Sequence, residues 1–276
     1  MSRVVTNPMI LKELRQRLRE RRAWLLPTLY LLVVAGTVSF AYYVSTDPDV
    51  TGHREVQGAD IGQAIFLTAV FTQIIVLLLM APVFSAGSLT IEKEQRTFAG
   101  LLTSLLTPPQ IWWGKFVTAL LYLLLLLCGA LPFLAISFAF GGIEPIELLK
   151  ATGSTILVLA SICTIGIWCS SLFRRSVHST AACYGIVLVL SIVTAVVFGI
   201  LVSHWENQGT AAPGEGPPAY IQAPMFLNPL YPLLSMLGEE LGQFSYPVSS
   251  WLLYTGLGCL AAAFAMRRIQ RSGEQL

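Results

Sequence analysis

Apolar residues along this chain fall into six long blocks, at about 24–44, 61–87, 111–140, 152–172, 177–203 and 248–266. Each is about as long as a helix must be to cross a bilayer whose hydrocarbon layer is ~30 Å thick. Within these bounds there is no Asp, Glu or Arg, and the one Lys is Lys115, near the start of the third block. The pattern predicts an all-α membrane protein with six transmembrane helices in one domain, about 24–266, and a polar tail at 267–276.

The polar stretches have patterns of their own. In "NPMILKELRQRLRERR", residues 7–22, Asn7 and Pro8 suit a helix N-cap and first position. Ile10, Leu11, Leu14 and Leu18 recur at three- and four-residue steps, Lys12, Arg15, Arg19 and Arg22 fill the other faces, and Glu13 pairs in register with Arg17. Such a basic, narrowly striped helix over 1–23 lies in the membrane interface, leucines toward acyl chains and arginines toward anionic headgroups. Between the second and third blocks, at about 88–110, Ile91 to Arg96 extends the second span, with Glu92 and Arg96 four residues apart. Phe98, Leu101, Leu102, Leu105 and Leu106 then follow the template of an amphipathic helix, with Thr97 on its polar face, and Pro108 and Pro109 end it. Trp112 and Trp113 mark the interface where the third span begins, with Lys115 placed to snorkel. The connection at about 204–247 opens Gly/Pro-rich and turns apolar at 225–237, too short to span, which suits a short external re-entrant or interfacial helix started by Asn228 and Pro229.

Composition agrees: 55% of residues are hydrophobic, 12% are charged, and the mean hydropathy is +0.69. The net charge of +2 gives no reason to expect nucleic acid as a partner. Of the 17 lysines and arginines, 15 fall in the amino-terminal segment and in every second connection thereafter, the tail included. The positive-inside rule then places both termini and the 88–115 connection in the cytosol, with 45–60 and 204–247 outside. The basic amino end is too long, and its apolar run too extended, for a cleaved signal peptide. The five cysteines all lie in apolar blocks without metal-ligand or redox spacing, so they read as packing residues.

Catalytic signals are sparse. No G-x-x-x-x-G-K-[ST] loop occurs, so nothing argues that this chain hydrolyses ATP, and no H-E-x-x-H occurs. The acid pair in "GEELGQF", at 238–244, lacks the following Arg and the membrane His that an intramembrane protease reading needs. No charge sits at a span centre, where an ion-coupled secondary transporter usually keeps one. Thr68, Thr72 and Gln73 in the second span and Ser191 and Thr194 in the fifth form the candidate pathway-facing set, against the plainer reading that they bond their own backbone or a neighbouring helix.

The stretches "NPMILKELRQRLR" and "EKEQRTFAGLLTSLLTPPQIWWGK", in this order and at these topological places, resemble the permease subunits of ABC type-2 transporters, the type V exporter class. The matching residues are Asn7, Pro8, Lys12 and Glu13, then Glu92, Glu94, Thr97, Leu101, Leu102, Pro108, Gly114 and Lys115. The resemblance implies a coupling helix at about 88–110, a second permease as homo- or heterodimer partner, and separate cytosolic ATPase subunits that carry the ATP and Mg. It also implies a bacterial plasma (inner) membrane location, no cofactor or metal in this chain, and a pathway lined by the second and fifth spans. Contact with the ATPase would then rest on Glu92, Glu94, Arg96, Thr97, Phe98, Leu101, Leu102 and Lys115, joined by Lys12 and Glu13. The rival from another class is a non-transporting anchor or sensor that recruits a cytosolic protein through the same surface.

Overall fold

The computed structural model describes residues 22–47, 58–98, 100, 107–141, 143–207, 217–231 and 247–274, and every regular element among them is helical. In chain order these are α1 (Arg22–Thr46), α2 (Gly58–Ala86), the short α3 (Thr90–Glu94), α4 (Pro108–Phe140), α5 (Pro145–Leu172), α6 (Ser176–Asn207), the short α7 (Ala219–Gln222) running into a 3-10 turn (Ala223–Leu227), and α8 (Pro247–Glu274). Six of them, one per apolar block, are long and apolar enough to cross a membrane. The chain is a multi-pass membrane protein.

Two helices start earlier than the apolar blocks suggest, because capping extends a helix beyond its hydrophobic part. At α4, Thr107 is the N-cap, its amide donates to Gln110 Oε1 at 2.9 Å, and Pro108 and Pro109 occupy first-turn positions where the missing N–H is no loss. The two prolines therefore open α4. At α5, Glu144 and Glu147 form the equivalent box around Pro145. Pro132 sits inside an unbroken α4.

The centre of the bundle is α5, which packs against α2, α4, α6 and α8, while α2 also packs on α1 and α4. Of the most apolar stretch of α5, 72% is buried; for α6 the figure is 11%. Helices immersed in lipid gain little from hydrophobic burial and associate through close packing and hydrogen bonds. Both occur here. A Cβ on Gly166 of α5 would stand 1.9 Å from Ser85 Oγ of α2, and one on Gly62 of α2 would stand 2.2 Å from the Gly141 carbonyl beyond α4. Those backbones approach as closely as glycine alone permits. Ser161 Oγ of α5 donates to the Tyr254 carbonyl of α8 at 2.8 Å, and Trp251 Nε1 donates to Ser154 Oγ at 3.2 Å. Around these contacts Ile74, Leu77, Leu123, Leu126, Val158, Leu159 and Ile162 form the buried core.

Residues 1–21, 101–106, 208–216 and 232–246 lie outside the described residues. Nearly all of the proposed interfacial helix, the leucine-rich part of the 88–110 segment and much of the 204–247 connection therefore fall there.

Candidate functional site

One end of the bundle concentrates its polar contacts on α3. Beyond Ala86, at the end of the apolar run of α2, residues 87–89 turn and the backbone resumes helical bonding, with Ile91 N to Gly87 O and Lys93 N to Leu89 O both at 3.1 Å. The break leaves helix ends buried, since Leu89 and Thr90 are fully enclosed. Buried orphan amides and carbonyls at helix ends are costly, so each needs a partner. The ends of α5 and α6 that flank residues 173–175 supply some of these partners and receive others in return.

Ser170 Oγ, on the last turn of α5, accepts from the amides of Leu89 at 2.9 Å and Thr90 at 3.0 Å, capping α3. Ser179 Oγ of α6 donates to the Ala86 carbonyl at 2.8 Å, capping α2. In the other direction, Lys93 Nζ donates to the carbonyls of Ser170 and Ser171 at 2.8 Å and of Phe173 at 2.9 Å, closing α5. Glu94 Oε1 accepts from the Ser176 amide at 2.6 Å, opening α6. Both charges suit the dipoles they meet, an ammonium at a helix C-terminus and a carboxylate at an N-terminus. Four helix ends are thus capped reciprocally.

Glu92 completes the set. Its Oε1 lies 2.6 Å from Lys115 Nζ in α4, with the side chains 21% and 5% exposed, respectively. Glu92, Lys93 and Glu94 therefore reach α4, α5 and α6 in turn. Successive helix residues point about 100° apart, so three in a row fan around most of the helix, and α3 lies where three neighbours surround it.

Lys93 also lies 5.6 Å from the centre of the Phe98 ring, within cation–π range. Burial, with Arg268 and Arg174 nearby, pushes its pKa down to about 8. Arg96, just past α3, has φ of 56°. The Thr97 amide meanwhile bonds back to the Glu92 carbonyl at 3.0 Å. This is a C-terminal stop of the kind glycine normally makes, and an L side chain there carries about 1 kcal/mol of strain.

The residues read from sequence thus divide. Glu92, Glu94 and Lys115 are links within the bundle, and Lys115 is buried rather than snorkelling. The predicted Glu92–Arg96 register is not used, because α3 stops at Glu94 and Glu92 bonds Lys115 instead. Arg96 and Thr97 are exposed, and Phe98 is half-buried. Leu101, Leu102, Lys12 and Glu13 lie outside the described residues. Lys93, Ser170, Ser176 and Ser179 were not singled out from sequence. The signal available was serines bracketing Arg174 and Arg175 at helix ends, where hydroxyls cap.

The five candidate pathway residues sit in two places. Thr68 and Thr72 are half-buried on α2, and Gln73 is buried, its Oε1 without a hydrogen-bond partner among the described residues. On α6, Ser191 Oγ donates to the Val187 carbonyl and Thr194 Oγ1 to the Leu190 carbonyl. Both residues are also engaged from the segment between α6 and α8, where Asn228 Nδ2 donates to Ser191 O at 2.9 Å and to Thr194 Oγ1 at 3.0 Å. Tyr254 of α8 holds the same segment through a 2.6 Å bond to the Leu227 carbonyl.

The sequence profile of one family, described as ABC-2 family transporter protein, matches residues 8–241, which takes in α1 to α7 and the whole α3 junction. No curated protein matches the chain.

Proposed function

The chain belongs to the ABC-2 transporter family, and from that membership we propose that it is the permease subunit of an ATP-driven exporter. It works as a dimer and couples to separate cytosolic ATPase subunits that bind ATP and Mg. The family's members are membrane components that associate with ABC ATPases, and those parts of the reading follow directly. Export, dimerisation and the route of coupling are the proposal. The excess of basic residues puts the α3 end, both termini and the 88–110 segment in the cytosol.

One observation carries the reading: three consecutive residues of α3 bind α4, α5 and α6. A push on the 88–110 segment cannot move α3 alone, because the caps of α5 and α6 and the ion pair to α4 would have to break with it. Coupling therefore runs from exposed Glu94, Arg96 and Thr97, with Phe98, Leu101 and Leu102, into the bundle through Glu92, Lys93, Glu94 and Lys115. Lys12 and Glu13 add a second contact from the amino-terminal interfacial helix. At the far side, Thr68, Thr72, Gln73, Ser191 and Thr194 place the polar groups of α2 and α6 toward the pathway between two permeases. The segment ending at Asn228 re-enters from outside to close it.

The test is a complex reconstituted in liposomes with its cognate ATPase. Lys93→Met should leave the ATPase bound while abolishing the rise in ATP hydrolysis that assembly with the permease produces, and Glu94→Ala, at a residue exposed to the ATPase, should weaken both binding and that rise. Unchanged hydrolysis in both variants would remove the junction from the coupling route. A wild-type permease that never binds an ATPase would favour the anchor reading.

A further inference from the structure

A groove of about 440 Å3 lies at the α3 end of the bundle. Pro108 and Pro109, at the start of α4, form one wall, and a single face of α8 forms the other: Ala263, Met266, Arg267 and Gln270. The α8 face is ordered by chemistry. Small and apolar groups lie deepest, the guanidinium comes next and the carboxamide is outermost, over about 10 Å of helix at 1.5 Å per residue. Trp112 and Trp113 begin less than two turns into α4, and Trp113 is 41% exposed, as aromatic side chains at a membrane–water boundary are.

We propose that this groove binds an anionic phospholipid of the cytosolic leaflet. Its phosphate would sit on Arg267, its polar headgroup by Gln270 and its acyl chain along Met266 and Ala263. Only an amphiphile uses the whole lining. A free anion leaves the proline, methionine and alanine walls uncovered, while a neutral chain leaves the guanidinium idle. Arginine suits the phosphate because its planar fork can make two parallel hydrogen bonds to two oxygens. Basic pockets between membrane helices at the cytosolic side are fitted to lipid headgroups in this way. Arg268, one residue on, is close enough to Lys93 to act on it electrostatically. The neighbouring arginines thus serve different surfaces. The proposal rests on the reading that the α3 end is cytosolic, and not on export.

Native mass spectrometry of the purified full chain, offered equal phosphatidylglycerol and phosphatidylcholine, tests it without any transport assay. Phosphatidylglycerol should be retained in preference. Arg267→Gln should reduce that retention about fivefold. Ala263→Trp, which fills the apolar floor, should reduce it too. Arg175→Gln, an exposed arginine at the same end, should leave it unchanged, as should millimolar inorganic phosphate. Equal retention in Arg267→Gln and wild type would overturn the proposal, and so would displacement of the lipid by inorganic phosphate. An Arg267→Gln protein that keeps its lipid but sheds a bound ATPase would make the groove a protein contact and end the lipid assignment. Absence of ATP-dependent export by the wild-type complex, with lipid retention intact, would count against the exporter reading alone.

Discussion

Lys115 Nζ stands 2.6 Å from Glu92 Oε1, an ion pair that joins α4 to α3 inside the bundle, and Glu92 Oε2 has no hydrogen-bond partner among the described residues. With one oxygen already unsatisfied, the carboxylate depends heavily on the ammonium. Lys115→Met should cost about 3 kcal/mol by leaving a largely enclosed carboxylate behind. Lys115→Met with Glu92→Gln should recover most of that loss, since the charge goes with its partner. Tryptophan-fluorescence melting in detergent checks both. A double variant that melts no higher than the single would show that the pair is not the cause.

Lys93 predicts a pH dependence. Its amine holds its proton less well in the fold, near pH 8, than the ordinary value of 10.5. Between those two values the unfolded chain binds the proton and the folded chain does not, so this group makes stability rise with pH across that window. Below about pH 8 both states are protonated and the cost of burying the charge is felt in full. Comparing wild type with Lys93→Met from pH 7.5 to 10.5, at about half-unit steps, should show a gap that moves in favour of wild type as pH rises. A flat difference would mean that the amine titrates alike in both states.

The sequence carries unequal amounts of this. Six spans are legible because lipid demands long uninterrupted apolar helices, and each block proved to be one. Which helix stands at the centre is not legible: α5 and α6 are both apolar all round, yet one is largely enclosed and the other largely open. Hydropathy cannot distinguish lipid from protein neighbours. The charged triplet could be seen, but its partners could not. Glu92 has Arg96 four residues away by sequence and Lys115 closer in space, because the stop at Arg96 takes the guanidinium out of helical register. Lys93 looked like one more solvated charge, since the carbonyls it closes lie almost 80 residues further on. Asn228, read as the start of a helix, follows the 3-10 turn and also bonds across to α6, while residues 232–246 beyond it lie outside the described residues.

Gly166→Ala should separate α2 from α5. The new methyl would meet Ser85 Oγ at 1.9 Å and Ser85 Cβ at 2.7 Å. Overpacking of this kind costs about 1–3 kcal/mol. Adding Ser85→Gly removes the colliding atoms and should restore the melting temperature. If it does not, the strain lies elsewhere along the crossing.

Asn228→Ala removes two hydrogen bonds to α6 and the side-chain acceptor for the Leu230 amide at 2.9 Å. The segment around the 3-10 turn should open more readily, with amide exchange at Leu230 and Tyr231 faster by about tenfold, the equivalent of one net hydrogen bond. Exchange along the interior of α5 should not change. Uniformly faster exchange would mean global loosening rather than release of this segment.

The fan of Glu92, Lys93 and Glu94 also fixes a length. Each position tolerates change only as far as its own neighbour does, but the spacing admits none. One residue inserted between Leu89 and Glu92 would swing all three side chains by about 100°. The acid meant for α4 would turn toward α5, the ammonium toward α6, and the last carboxylate toward none of its former neighbours. Evolution can respell this triplet letter by letter, but it cannot add or drop a letter without scrambling the whole word.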